Sequence, residues 1–117
     1  MKRTIIAAFA AIHWLIAGNV LATEMPPLAK KKGNCILCHT IDKKLIGPAW
    51  LDVSKKYKGL SKYTFKGVEH NLEEGLALKI RKGGYGVWGN TAMSSTPPAI
   101  KDEEIKELVQ FILGLDK

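Results

Sequence analysis

The sequence predicts an all-α protein. Two segments repeat their apolar residues at helical spacing, no segment sustains a period of two, and glycines and prolines cut the chain into short pieces. The 117 residues, 46% hydrophobic and 25% charged, set an expectation of one small domain. The charge is not extreme enough for a disordered chain. No internal period of roughly 20–50 residues marks a repeat array, and no apolar run reaches the roughly 18 residues of a membrane-spanning helix. The balance is basic, with 18 Lys and Arg against 11 Asp and Glu.

Each segment has a local reason. Lys2 and Arg3, the apolar stretch from Ile5 to Gly18 broken only by His13, and then Val20-Leu21-Ala22 have the three-part layout of a secretory signal peptide. Residues 1–22 are therefore expected to be a removed leader and residues 23–117 the working domain. Cleavage after Ala22 takes away Lys2 and Arg3, leaving 16 basic residues against 11 acidic ones, so the exported part stays basic. No Cys follows the apolar stretch to take a lipid anchor. Pro27 to Lys32 is a first short helix, with proline near its start and Gly33 at its end. Leu51 to Tyr57 follows Gly47-Pro48 as a second. Leu72 to Arg81 places Leu72, Leu76 and Ile80 on one face and stops at Gly83-Gly84. The last helix is the clearest. Asp102 is its expected N-cap, Glu103 and Glu104 suit the positive helix end, and Ile105, Leu108, Val109 and Ile112 share one face.

The chemistry is concentrated in Cys35-Ile36-Leu37-Cys38-His39. Two cysteines three apart at the end of a helical turn can both face one flat ligand, with the next side chain aimed at its centre. Haem uses this arrangement: its two vinyl groups take thioether bonds from the thiols, and the histidine binds iron from one side. As a structural disulfide the pair would close too short a ring to restrain the unfolded chain. A redox dithiol belongs in a βαβ context, which is missing here. A zinc site wants four ligands, and beyond Cys35, Cys38 and His39 the domain offers only His70. One covalently attached haem c is the expected cofactor.

Three side chains compete for the second axial position: His70, Met25 and Met93. Met93 lies in the stretch from Gly83 to Pro98, where glycines and prolines forbid a long helix and let the backbone approach a flat ligand. Met25 sits only ten residues before Cys35, beside the processing site, and His70 lies in a polar stretch. Met93 is the expected ligand, and His39 and Met93 are the expected iron-binding pair.

In this order the motifs resemble a class I cytochrome c, of the short bacterial monohaem kind. The residues that carry the resemblance are Lys32-Gly33-Asn34 with the haem motif, Leu45-Ile46-Gly47-Pro48-Ala49-Trp50, Ile80-Arg81-Lys82-Gly83-Gly84-Tyr85-Gly86-Val87-Trp88-Gly89, then Met93 and the terminal helix. The resemblance implies several short helices wrapped around one covalently attached haem, with the N- and C-terminal helices crossing. It implies that Pro48 lies against the His39 ring, with a nearby carbonyl accepting the other imidazole N–H. It also implies that Trp88 and Lys79 touch a haem propionate, although Trp88 reads equally well as core packing. The chain departs from the pattern in three places. Ala92 precedes Met93 and Ser94-Ser95 follows it, where relatives place prolines. Thr96 stands where relatives often have an asparagine bonded to the methionine sulfur. Lys58 to Asn71 is several residues longer than in the shortest relatives. The first two departures imply a softer loop and a more labile methionine–iron bond.

A histidine and a methionine together saturate the iron, and methionine ligation raises the potential. The expected function is a one-electron shuttle rather than an enzyme, since no Ser-His-Asp set or paired catalytic carboxylates appear. Export places it in the periplasm, between a quinol-oxidising complex and a terminal oxidase or nitrite reductase. Lys30, Lys31, Lys32, Lys43, Lys44, Lys55, Lys56 and Lys58 crowd the segments flanking the haem motif and suit redox partners with acidic docking surfaces. Nucleic acid is not an expected partner, stable membrane insertion is not expected after processing, and the expected state is a monomer. The alternative reading is a haem sensor or peroxidase-like protein in which Met93 leaves the iron.

Overall fold

The structure is a computed structural model and describes residues 24–117; the expected leader lies outside the described residues. Pro27 opens helix α1 (Pro27–Lys31), where its missing N–H belongs to the first turn and loses no bond. The haem motif forms a 3₁₀ turn over Cys35–Leu37, after which come α2 (Trp50–Tyr57), strands β1 (Lys62–Phe65) and β2 (Val68–Asn71), α3 (Leu72–Lys82) and α4 (Asp102–Leu113). The predicted helices are all present, with ends shifted by one residue.

Local chemistry sets the helix ends. At α3 the Asn71 side chain accepts from the Glu73 N–H at 3.1 Å, and Glu73 and Glu74 sit in the first turn. At α4 the N-cap is Lys101 rather than Asp102: the Glu104 carboxylate reaches back to accept from the Lys101 N–H at 3.0 Å. Asp102 is thereby free to accept from Arg81 instead, at 2.8 Å.

The hairpin β1–β2 is an addition to the helical plan. Its strands pair antiparallel, Tyr63 opposite His70 and Phe65 opposite Val68. The two linking residues, Lys66 and Gly67, both have positive φ, 48° and 79°. That pair of angles matches the right-handed twist of the strands. Tyr63 and Phe65 are buried while Lys62 and Thr64 face water. Tyr63 rests on Gly75 of α3, where a Cβ would lie 2.7 Å from the Tyr63 Cβ. The fold class is therefore helical with one small two-stranded sheet.

Helix α4 packs on α1, α2 and α3. Its Val109 joins a core of Tyr57, Tyr63, Phe65, Leu72 and Leu76, while its Leu108 and Ile112 join a second core with Ala29 and Trp50. A Lys32–Glu104 ion pair at 3.0 Å ties the residue after α1 to α4. Fully buried Ser54 donates to the Leu113 carbonyl at 3.0 Å and accepts from the Asp116 N–H at 3.1 Å, fixing the end of α4 to α2. Among the described residues no helix is long and apolar enough to cross a membrane.

Candidate haem site

The two packed cores leave between them a cavity of about 430 Å³, reached by α2, α3, α4, the haem motif and the loop after α3. Its size is that of a cofactor pocket. The 3₁₀ turn is closed by N–H bonds of Cys38 and His39 to the Cys35 carbonyl, 3.1 and 2.9 Å long. That turn brings Cys35, Cys38 and His39 to the cavity together. The thiols are not paired with each other, and burial raises Cys35 above the ordinary thiol value. An attacking redox dithiol needs the reverse shift.

The imidazole of His39 is buried and held from two sides. Its Nδ1–H donates to the Pro48 carbonyl oxygen at 2.8 Å, which fixes the tautomer and leaves Nε2 with its lone pair. The ring also lies flat against Gly47, where a Cβ would come within 2.5 Å of Cε1 and 3.0 Å of Nε2. The glycine is what permits this approach.

Of the three candidate partners for that iron position, Met93 alone lines the cavity. Met25 packs against the core of Ala29 and Trp50, and His70 lies on β2 opposite Tyr63. Met93 is held by a two-bond bridge to Gly84: its N–H donates to the Gly84 carbonyl at 2.8 Å, and its carbonyl accepts from the Gly84 N–H at 3.0 Å. The loop beyond it, expected to be soft because of its serines, is strapped at Thr96. The Thr96 hydroxyl donates to the Ile80 carbonyl at 2.6 Å, so it is not the counterpart of an asparagine on the methionine sulfur.

Pro48, Trp88 and Lys79 also line the cavity. Trp88 is 40% exposed, which excludes simple core packing, and the Lys56 ammonium lies 5.1 Å from its ring centre. Burial lowers Lys79 from the ordinary lysine value, and the positive charge of Lys66 adds to the effect. Two further lining residues escaped the sequence reading. Tyr57 and Tyr63 are buried with their rings 5.4 Å apart, and burial raises both hydroxyls above their ordinary value, Tyr57 strongly. A phenol is protonated throughout the neutral range, so both hydroxyls can donate hydrogen bonds. The signal was the alternation Lys62-Tyr63-Thr64-Phe65 ahead of Lys66-Gly67.

These residues fit haem. Two thiols and an oriented imidazole share one turn, a thioether stands in the same apolar cavity, and phenol, indole and ammonium donors supply polar points that suit the acid side chains of a haem edge. The comparisons point the same way. The Cytochrome c family model matches residues 18–116. Cytochrome c-552 of Hydrogenobacter thermophilus is 39% identical over 98% of this chain and 99% of that protein, and cytochrome c-551 of Pseudomonas aeruginosa is 34% identical over 97% and 98%. The crystal structure of wild-type Nitrosomonas europaea cytochrome c552 superposes with a TM-score of 0.63 at 36% identity, covering 76% of this chain and 96% of that one. The chain thus belongs to the cytochrome c family, as a class I monohaem member that carries covalently attached haem c and moves electrons rather than catalysing a reaction.

Proposed function

We propose that this protein is a periplasmic one-electron carrier whose haem is bound through Cys35 and Cys38 and ligated by His39 and Met93. Residues 1–22 direct export and are removed. The observation that carries the ligand assignment is the His39 Nδ1–H bond to the Pro48 carbonyl at 2.8 Å, together with Met93 as the thioether in the same cavity. The first commits Nε2 to the metal and raises its basicity. The second favours the reduced state of the iron. When bound, haem supplies the electron that is exchanged; the chain holds it, keeps water from most of it and sets its potential. Lys79 and Trp88, with Tyr57 and Tyr63, would bind the propionates; that all four line the cavity supports this.

Partner docking is assigned to the side of the haem motif. Leu37 and Ile46 line the cavity yet are 64% and 55% exposed, and Ile36 and Leu45 are exposed beside them in the chain. Exposed Lys43 and Lys44 lie in the same segment. An apolar patch flanked by lysines suits a redox partner with an acidic rim, such as a quinol-oxidising complex or a terminal oxidase or nitrite reductase.

Carbon monoxide separates this reading from a haem sensor or peroxidase. Slow or absent binding to the ferrous protein at neutral pH is expected of a saturated iron. Rapid, complete binding would overturn the carrier reading and leave an open-site protein.

A further inference from the structure

The segment that follows Met93 contains Pro97 and Pro98, which have no N–H, and the exposed Ser94 and Ser95. It cannot staple itself by backbone bonds alone, yet it must keep a thioether in one place. It is tied to the last turn of α3, where one side chain supplies two donors to its carbonyls. Arg81 donates through Nη1 to the Pro97 carbonyl at 3.0 Å and through Nη2 to the Ile100 carbonyl. The same Nη2 meets the Asp102 carboxylate at 2.8 Å. A planar guanidinium holds three such partners at fixed angles, which a single ammonium cannot do. The Arg81 side chain is only 24% exposed and its bond to the Ile100 carbonyl is partly buried, while its bonds to Pro97 and Asp102 face water.

The strapping is reciprocal. The final turn of a helix leaves carbonyls without intrahelical donors. Here two of them are met by the loop: the Thr96 N–H donates to the Arg81 carbonyl at 3.0 Å and the Thr96 hydroxyl to the Ile80 carbonyl at 2.6 Å. With the Gly84–Met93 bridge on the other side, Met93 lies between two sets of bonds anchored on the end of α3. Ser94 and Ser95 are left as the short span between them.

We propose that Arg81 is a positioning residue for the iron ligand: through the Pro97 and Ile100 carbonyls it holds the loop so that the Met93 thioether stays at the metal. The role that stiff prolines next to the methionine would otherwise play is taken by a guanidinium clamp from α3. This rests on Met93 being the ligand, and the test separates the two claims.

The test uses haem-loaded Arg81→Ala, Arg81→Lys and Thr96→Val proteins beside wild type, Met93→Ala and Ser54→Ala. The readouts are the sulfur-to-iron charge-transfer band of the oxidised form, the reduction potential, and the carbon monoxide association rate of the reduced form under conditions where all are folded. Arg81→Ala is expected to bind carbon monoxide about tenfold faster than wild type, the scale of losing one charge-assisted hydrogen bond. Its band should weaken at lower pH or temperature than in wild type, and its potential should fall. Arg81→Lys should lie between the two, and Thr96→Val should move the same way. Ser54→Ala lies away from the loop; it should lower the unfolding midpoint while leaving the carbon monoxide rate at the wild-type value. If Arg81→Ala does not fold, Arg81→Lys and Thr96→Val decide. Wild-type rates, bands and potentials in the Arg81 and Thr96 variants that fold would overturn the clamp while leaving the ligand assignment intact. A faster rate in Ser54→Ala equal to that of Arg81→Ala would overturn it too, by reducing the effect to general destabilisation. A wild-type protein without the band, or a Met93→Ala protein that keeps it, would overturn both claims.

Discussion

At the scale of single residues the site depends on close approach as much as on ligand identity. His39 is oriented by one hydrogen bond to the Pro48 carbonyl, and that bond forms only because Gly47 lets the backbone pass against the ring. A methyl group at position 47 would collide with Cε1 and Nδ1 of His39. Gly47→Ala should therefore tilt or displace the imidazole, at a cost of about 1–3 kcal/mol for an overpacked site. The expected outcome is a lower yield of covalent haem, read by mass spectrometry, and a lower reduction potential in the protein that does load. An unchanged yield and potential would mean that the ring tolerates the methyl group and that its orientation is set elsewhere.

At the scale of elements, α3 and the hairpin are interlocked. Gly75 lies inside a helix, where alanine would ordinarily be more favourable by about 1 kcal/mol. The Tyr63 side chain occupies the space that the alanine methyl would need, with its Cβ 2.7 Å and its ring Cδ1 2.8 Å away. The collision, about 1–3 kcal/mol, outweighs the propensity, so Gly75→Ala should lower the urea midpoint. Combined with Tyr63→Gly, which removes the Cβ as well as the ring, it should become stabilising relative to Tyr63→Gly alone; a loss in both backgrounds would refute the interlock. The helices were legible in the sequence because Leu72, Leu76 and Ile80, or Ile105, Leu108, Val109 and Ile112, repeat over two or more turns. The hairpin was not. Its inward face has only Tyr63 and Phe65, and β2 is exposed along most of its length, so no sustained period of two arises. The site divides in the same way. Cys35, Cys38 and His39 are legible because one turn carries their chemistry. Arg81 is not, because its partners lie 16 to 21 residues away and include backbone carbonyls that any residue could supply.

At the scale of the molecule, charge and connectivity serve one task. Without residues 1–22 the chain keeps 16 basic residues against 11 acidic ones, a formal charge of +5, and the exposed Lys43 and Lys44 stand in the same segment as the apolar residues at the cavity mouth. Electron exchange with an anionic iron complex should slow as salt rises, and exchange with a cationic cobalt complex should quicken. Lys43→Glu with Lys44→Glu should flatten the first dependence more than the same changes at Lys55 and Lys58; equal effects would remove the haem-motif side as the docking face. The central claim, however, is the pairing of His39 with Met93 on one covalently held haem. The most direct measurement is the visible and near-infrared spectrum of the oxidised, haem-loaded protein, taken with Met93→Ala alongside. The predicted result is a low-spin spectrum with a weak sulfur-to-iron charge-transfer band that disappears in Met93→Ala. A high-spin spectrum without that band, or a band that survives the substitution, would contradict the account.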